Sequence, residues 1–131
     1  MGKSTYLSNE MLDHVLRGAA YSAPASVYLA LFTDMTGVEE SGTLTNELSG
    51  NGYARKQITG LPAASSGQIA SDAAIYFDPA TGDWDEVVGW AIMDAASGGN
   101  VLYAGTLTIP RTFLSGDTPY IAAGALIVSE T

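Results

Sequence analysis

Residues 26–33 read SVYLALFT, and every position from Val27 to Phe32 is apolar. Side chains of a β-strand point alternately to its two faces, so a strand formed here is apolar on both. Such a strand is typical of the centre of a sheet that is covered on both sides. We therefore expect a central strand, with the N-terminal helix described below on one face. The two faces carry Val27, Leu29 and Leu31 on one side and Tyr28, Ala30 and Phe32 on the other.

The segment before this strand has apolar residues at helical spacing. Ser8 is suited to the N-cap position, and Arg17 followed by Gly18 is suited to the C-terminal end of a helix. The pattern predicts a helix over residues 8–17. Its apolar stripe comprises Leu7, Met11, Leu12, Val15 and Leu16.

The later segments are typical of strands separated by turns. Alternating apolar side chains and Gly-marked turns predict short antiparallel strands. Together with one terminal helix they favour a mainly β fold, an antiparallel, jelly-roll-like β-sandwich that forms a single domain over residues 1–131. The predicted strands cover residues 26–33, 53–59, 68–78, 87–94, 101–109 and 120–128.

The chain is acidic: its 131 residues carry 14 Asp and Glu against 5 Lys and Arg, a formal net charge of −9. Binding to nucleic acid or to an anionic membrane depends on positive charge, so we expect neither partner. The chain has no cysteine, which excludes a disulfide, a thiol nucleophile and a zinc-thiolate site. No apolar run has the length of a signal peptide or a membrane span, so we expect a soluble protein.

Two features of the sequence could carry chemistry. The single histidine, His14, has no G-x-S-x-G motif to act with, so we interpret it as a helix-surface or interface residue. An acidic cluster near a turn is compatible with a glycosidase pair, with a Ca²⁺ loop or with solvated carboxylates, and its unspecific spacing favours the last. We expect no enzymatic activity, no catalytic residue and no metal or other cofactor. The cluster consists of Asp78, Asp83, Asp85 and Glu86.

Contacts with partner proteins are expected at polar segments. Residues 34–50 exceed the usual length of a connection, which is typical of a functional or interfacial loop. Arg55 and Lys56 are adjacent on a predicted strand and point to opposite faces, so one can pair within the chain and the other with a neighbouring subunit. The candidate interface residues are Tyr6, Asp34, Glu39, Glu40, Arg55, Lys56 and Arg111.

The aromatic residues divide into two groups. Those at strand spacing, Tyr76 among them, are expected to fill the core. Trp84 and Tyr120 lie in or near turns, so these two are the candidate exposed contact aromatics.

Four stretches carry a family resemblance: residues 6–33, with YLSN, HVLRG and YLALFT; GYAR at 52–55; residues 77–103, with DW and DAASGGNVLY; and GDT at 116–118 with AGAL at 123–126. They resemble a family of small bacteriophage virion proteins, commonly called phage tail fibre proteins. The stretches span nearly the whole chain, and none is a catalytic motif. The resemblance therefore implies a structural role in a virion, without an active site.

The position within the virion is a separate question. A fibre shaft needs a sequence repeat or heptads, and the chain has neither. We therefore favour an outer capsid decoration (cement or knob) protein that stabilises the assembled shell. The alternative is a small tail-associated fibre or adhesin protein that contacts the host surface, with Trp84 and Tyr120 in a carbohydrate-binding groove.

Both possibilities imply the same kinds of partner. These are other virion proteins, either the major capsid protein or tail proteins. Further copies of the chain are also expected, in a homo-oligomer, trimer or pentamer, as is common for symmetric assemblies. The resemblance also implies assembly in the cytoplasm of the host bacterium.

Overall fold

The computed structural model describes residues 2–130, whereas Met1 and Thr131 lie outside the described residues. Within residues 2–130 the chain forms nine strands and two helices. The helices are α1 (Thr5–Arg17) and α2 (Val38–Ser41). The strands are β1 (Gly2–Lys3), β2 (Tyr28–Phe32), β3 (Lys56–Gln57), β4 (Gln68–Ala70), β5 (Ile75–Tyr76), β6 (Val87–Met93), β7 (Val101–Arg111), β8 (Tyr120–Ile121) and β9 (Ile127–Ser129).

The main sheet has five strands in the order β1-β7-β6-β2-β3, and every pair in it is antiparallel. Strand β2 lies between β6 and β3, and all five of its residues pair with β6. The two remaining sheets are two-stranded and antiparallel, β4 with β9 and β5 with β8. The expectation of a mainly β, antiparallel fold with an N-terminal helix is confirmed.

Both faces of the main sheet are covered, as the alternation in β2 predicts. Leu29 and Leu31 belong to one buried cluster, and Ala30 and Phe32 belong to another. The cluster around Leu29 also contains side chains of β5, β8 and β9, so the small sheets pack against this face. The cluster around Phe32 contains Val38 of α2. The arrangement is consistent with a sandwich whose second layer is divided between two short ribbons.

Helix α1 begins earlier than predicted. Its N-cap is Ser4, whose Oγ accepts a hydrogen bond from the Leu7 amide at 3.0 Å, and Ser8 lies inside the helix. The Ser4 amide donates to the Leu102 carbonyl at 2.8 Å, which fixes the cap to β7. The prediction of Ser8 as N-cap is therefore wrong, because the buried contact with β7 selects the earlier serine. Gly18 ends the helix with φ of 66°, as the sequence indicates.

The apolar stripe of α1 is divided between two environments. Leu7 is 5% exposed and joins the core, and Met11 packs against it. Leu12, Val15 and Leu16 are 56%, 72% and 75% exposed, so the last turns of the helix present their apolar side chains outward. The N-terminal helix thus covers the sheet only through its first half, and α2 covers the face that carries Phe32.

Two predicted strands are each divided by a change of partner. Residues 68–78 form β4 and β5, and residues 120–128 form β8 and the start of β9. At the break, the Ser71 amide donates to the Leu126 carbonyl at 2.9 Å, and the Gly124 amide donates to the Ser71 carbonyl at 2.6 Å. The chain thereby passes from one ribbon to the other. The residues at this turn belong to no strand, although their alternation predicts one.

The other predicted boundaries differ less. The segments 26–33 and 53–59 shorten to β2 and β3, because their outer residues have no ladder partner. Strand β7 extends to Arg111, which pairs with Val87 of β6. The predicted loop 34–50 contains the short helix α2. The single-domain assignment stays a prediction.

Candidate binding surfaces

Arg55 lies inside the chain rather than on an interface. Its side chain is 3% exposed, and its Nε and Nη2 donate to the two carboxylate oxygens of Glu47 at 2.8 and 2.7 Å. Its Nη1 donates to the carbonyls of Ala95 and Gly98 at 2.9 and 2.8 Å. The hydrogen bonds with Glu47 raise the pKa of Arg55. These donors are used within the chain, so Arg55 links two loops. The prediction of Arg55 as an interface residue is corrected accordingly.

Lys56 also finds its acid within the chain. Its Nζ lies 2.6 Å from Asp78 Oδ1, and the lysine side chain is 32% exposed. The contact of Lys56 with a neighbouring subunit stays a prediction. Both Arg55 and Lys56 join segments that are distant in the sequence.

Arg111 differs from the other basic residues. Four of the five Lys and Arg side chains form ion pairs: Lys3 with Glu130, Arg17 with Asp13, Arg55 with Glu47, and Lys56 with Asp78. Arg111 is exposed and has neither an ion pair nor a side-chain hydrogen bond within residues 2–130. Among the Lys and Arg side chains of residues 2–130, Arg111 is the one without such a partner, and its interface role stays a prediction.

Trp84 is buried, so its prediction as an exposed contact aromatic is wrong. It is 4% exposed, and its Nε1 donates to the Asn51 carbonyl at 2.8 Å. Its ring makes edge contacts with Tyr53, Phe77 and Phe113 at centroid distances of 5.6, 6.4 and 5.7 Å. The indole is therefore part of the hydrophobic core.

The acidic cluster beside Trp84 is used mainly to hold loops. Asp83 Oδ1 accepts a hydrogen bond from the Ser115 amide at 2.9 Å, and Asp78 pairs with Lys56. Within residues 2–130, no group of three or more potential ligand side chains is placed to hold a metal ion. These contacts give Asp78 and Asp83 a structural role.

The structure brings three predicted interface residues together. Tyr6, Glu39 and Glu40 line one surface cavity of about 350 Å³ between α1 and α2. Asp34 is exposed, and hydrogen bonds from Thr36 lower its pKa. The interface role of these four residues stays a prediction.

Tyr120 is exposed, and it stacks on a second tyrosine. Tyr76 and Tyr120 are paired across β5 and β8, and their rings lie 5.4 Å apart at 24°. They are 59% and 60% exposed, so the assignment of Tyr76 to the core is wrong. The sequence contains the signal for this correction: adjacent strand residues face opposite sides, and Phe77 takes the buried side. Tyr120 also lines a groove of about 500 Å³ with Arg111.

A strongly apolar cavity of about 280 Å³ lies between the β4–β9 ribbon and the main sheet. Its lining includes Val27, Ile69, Leu102 and Val128. Tyr103 borders it and donates a hydrogen bond to Glu130 at 2.8 Å. Burial, followed by this hydrogen bond, raises the pKa of Tyr103.

Neither helix among residues 2–130 is long and apolar enough to cross a membrane.

The elements define a mainly β, antiparallel protein with an N-terminal helix. A sequence model described as podophage GP4 fiber I protein gp80 matches residues 2–129, and the chain belongs to this Gp80 family. It is therefore a bacteriophage virion protein of the fibre type, in agreement with the resemblance seen in its sequence. No curated protein matches the chain.

Proposed function

We propose that the chain is a non-enzymatic subunit of a tail-associated fibre, rather than a capsid decoration protein. The observation that supports this proposal is the family match, which extends over residues 2–129 and is described as a fibre protein. The capsid interpretation was based on the missing shaft repeat. The family is described as a fibre protein and includes this chain, which has no repeat, so the missing repeat does not argue against a fibre.

We propose that the fibre is built from several copies of the chain. Association of identical subunits is common among oligomeric proteins. The outward face of α1 suits such an association: Leu12, Val15 and Leu16 are spaced i, i+3 and i+4 and have no partner within residues 2–130. We propose that this face packs against a second copy in a homo-oligomer, a trimer or a pentamer.

Other virion proteins complete the proposed assembly. The cavity lined by Tyr6, Glu39 and Glu40 offers an acidic surface for a basic segment of a tail protein. The net charge of −9 disfavours nucleic acid and anionic membranes as partners. Assembly then takes place in the bacterial cytoplasm, where the other virion proteins are made.

The location of the chain in the virion tests the proposal. Purified virions are decorated with an antibody fragment raised against the isolated protein, and averaged images are compared with and without the fragment. We expect additional density on the tail alone. Additional density on the icosahedral shell overturns the proposal in favour of capsid decoration.

A further inference from the structure

One groove at the end of β7 combines an exposed aromatic ring with a cation and an anion. Arg111, Asp117 and Tyr120 line it, and its volume is about 500 Å³. We propose that this groove binds an uncharged saccharide. The ligand class follows from three properties of the lining: its aromatic surface, its hydrogen-bonding groups and its charge.

The aromatic surface is supported by a second ring. Tyr120 stacks on Tyr76 at 5.4 Å, and backbone pairing of β5 with β8 holds the two residues opposite each other. Both rings are about 60% exposed, which is unusual for side chains whose burial would be favourable. A tyrosine ring has an apolar body and a polar tip, and it can pack against the C–H face of a sugar while its hydroxyl binds water or ligand.

The polar groups of the groove complement hydroxyl groups. Arg111 offers only N–H donors, and none is used within residues 2–130. Asp117 offers only acceptors; its Oδ2 accepts from the Leu114 amide at 2.9 Å, which fixes the side chain and leaves Oδ1 for a ligand. A sugar hydroxyl both donates and accepts, so one ring can satisfy both residues.

The charges of the groove and of the chain favour an uncharged saccharide over a polyanionic glycan or a purely apolar ligand. Arg111 and Asp117 together contribute no net charge, and the chain as a whole carries −9. A polyanionic glycan would meet long-range repulsion from this chain. A purely apolar ligand would desolvate the guanidinium and the carboxylate without replacing their hydrogen bonds.

The groove borders a second, smaller cavity. This cavity, of about 140 Å³, shares Arg111, Phe113, Pro119 and Tyr120 with the lining of the groove. The lining of that inner cavity includes Leu31, Phe77 and Val87. Small-molecule sites are concave, mostly apolar and carry a few convergent polar groups, which describes these two adjoining spaces.

The inference extends the proposed fibre function, on which it rests only for the biological source of the glycan. Its test uses the isolated protein, with its tyrosine rings isotopically labelled for NMR. The probes are uncharged oligosaccharides of glucose, galactose, rhamnose and N-acetylglucosamine, with polygalacturonate as the charged comparison. We expect at least one uncharged probe to shift the ring signals of Tyr120 and Tyr76, and polygalacturonate to leave them unchanged.

Matched variants assign the binding to the groove. Tyr120→Ala and Arg111→Ala are expected to weaken binding at least about tenfold, which corresponds to about 1.4 kcal/mol. Arg17→Ala removes an exposed arginine outside the groove, and its affinity is expected to equal that of the unaltered chain. Arg111→Lys keeps the charge and loses the planar fork, so it is expected to bind more weakly than the unaltered chain.

Three results overturn the inference: no shift with any uncharged probe, a stronger response to polygalacturonate, or full affinity in both Tyr120→Ala and Arg111→Ala. The substituted side chains are exposed, and unchanged amide spectra elsewhere establish that each variant is folded. Failure of saccharide binding leaves the position of the protein in the virion unaffected. Density on the capsid shell, in turn, refutes the fibre assignment without affecting the binding result.

Discussion

The guanidinium of Arg55 binds the carboxylate of Glu47 through two hydrogen bonds, of 2.7 and 2.8 Å. The two side chains are 3% and 15% exposed, so this ion pair is largely removed from water. Tyr53 donates its hydroxyl hydrogen to the same carboxylate at 2.7 Å and accepts from the Leu31 amide at 3.1 Å. The pair therefore links the loop after α2 to the central strand β2 and, through the Ala95 and Gly98 carbonyls, to the β6–β7 hairpin.

Removal of Arg55 is expected to destabilise the fold strongly. Arg55→Ala leaves Glu47 buried without its partner, and breaking a buried pair in this way costs about 3 kcal/mol or more. Urea denaturation measures the change in the free energy of unfolding. Arg17→Ala is the matched control: that side chain is 74% exposed in its pair with Asp13, and its loss is expected to cost less than about 0.5 kcal/mol. Equal effects of the two substitutions would contradict the structural role of Arg55.

Trp84 is expected to be one of the largest single contributors to the core. Trp84→Ala removes a buried ring that contacts Tyr53, Phe77 and Phe113, and such truncations cost about 3–5 kcal/mol. The thermal midpoint measures the loss. Tyr120→Ala, which truncates a ring that is 60% exposed, is expected to change the midpoint by much less. If Trp84 were a surface contact residue, the two variants would be equally stable.

The sequence predicted the centre of the fold well, because burial of β2 is a local property. Its alternation assigns Leu31 to one face and Phe32 to the other, and no distant contact is needed to recognise this pattern. The antiparallel strands β6 and β7 could be predicted for the same reason. They are separated by a short Gly-rich connection that favours a hairpin.

The misassigned residues depend on contacts that are distant in the sequence. Trp84 lies in a turn, yet its environment comes from Tyr53 and Phe113, on either side of it in the chain. The N–H groups of Arg55 donate to Glu47 and to carbonyls about 40 residues further along the chain. A local sequence pattern does not show these partners. The sequence indicates Arg111 and Tyr120 for different reasons, and only the fold places them in one groove.

Acid is expected to weaken the contact between the two ends of the described chain. Glu130 binds Lys3 and accepts a hydrogen bond from Tyr103, and these contacts lower its pKa below the ordinary value of 4.5. A carboxyl with a lowered folded-state pKa contributes stability above its unfolded pKa, and the contribution is lost as the pH falls through the folded value. The stability that Glu130 contributes is therefore fully present above pH 4.5, and it is lost progressively at lower pH as the folded carboxyl becomes protonated.

Glu130→Gln measures this contribution directly. We expect the variant to be less stable than the unaltered chain at about pH 7 and the difference to shrink as the pH falls below 4.5 through the folded-state pKa of Glu130. The measurement is the free energy of unfolding at a series of pH values. Glu86→Gln, at an exposed turn residue, is the control and is expected to show a smaller difference at neutral pH. A difference for Glu130→Gln that is the same at about pH 7 and at the lowest pH at which both chains stay folded would refute the ionic contribution of this residue.

The exposed apolar face of α1 leads to a prediction about assembly. Leu12 and Leu114 are both 56% exposed, but only Leu12 belongs to the helical stripe with Val15 and Leu16. If that stripe packs against a second copy, Leu12→Glu places a charge in the interface and weakens association by about a hundredfold, while the stability of the separate chain changes little. Leu114→Glu makes the same chemical change outside the stripe and is expected to preserve the oligomer. Sedimentation equilibrium measures both variants and the unaltered chain, and a monomeric unaltered chain, or an undiminished oligomer in Leu12→Glu, would rule out α1 as the contact between subunits.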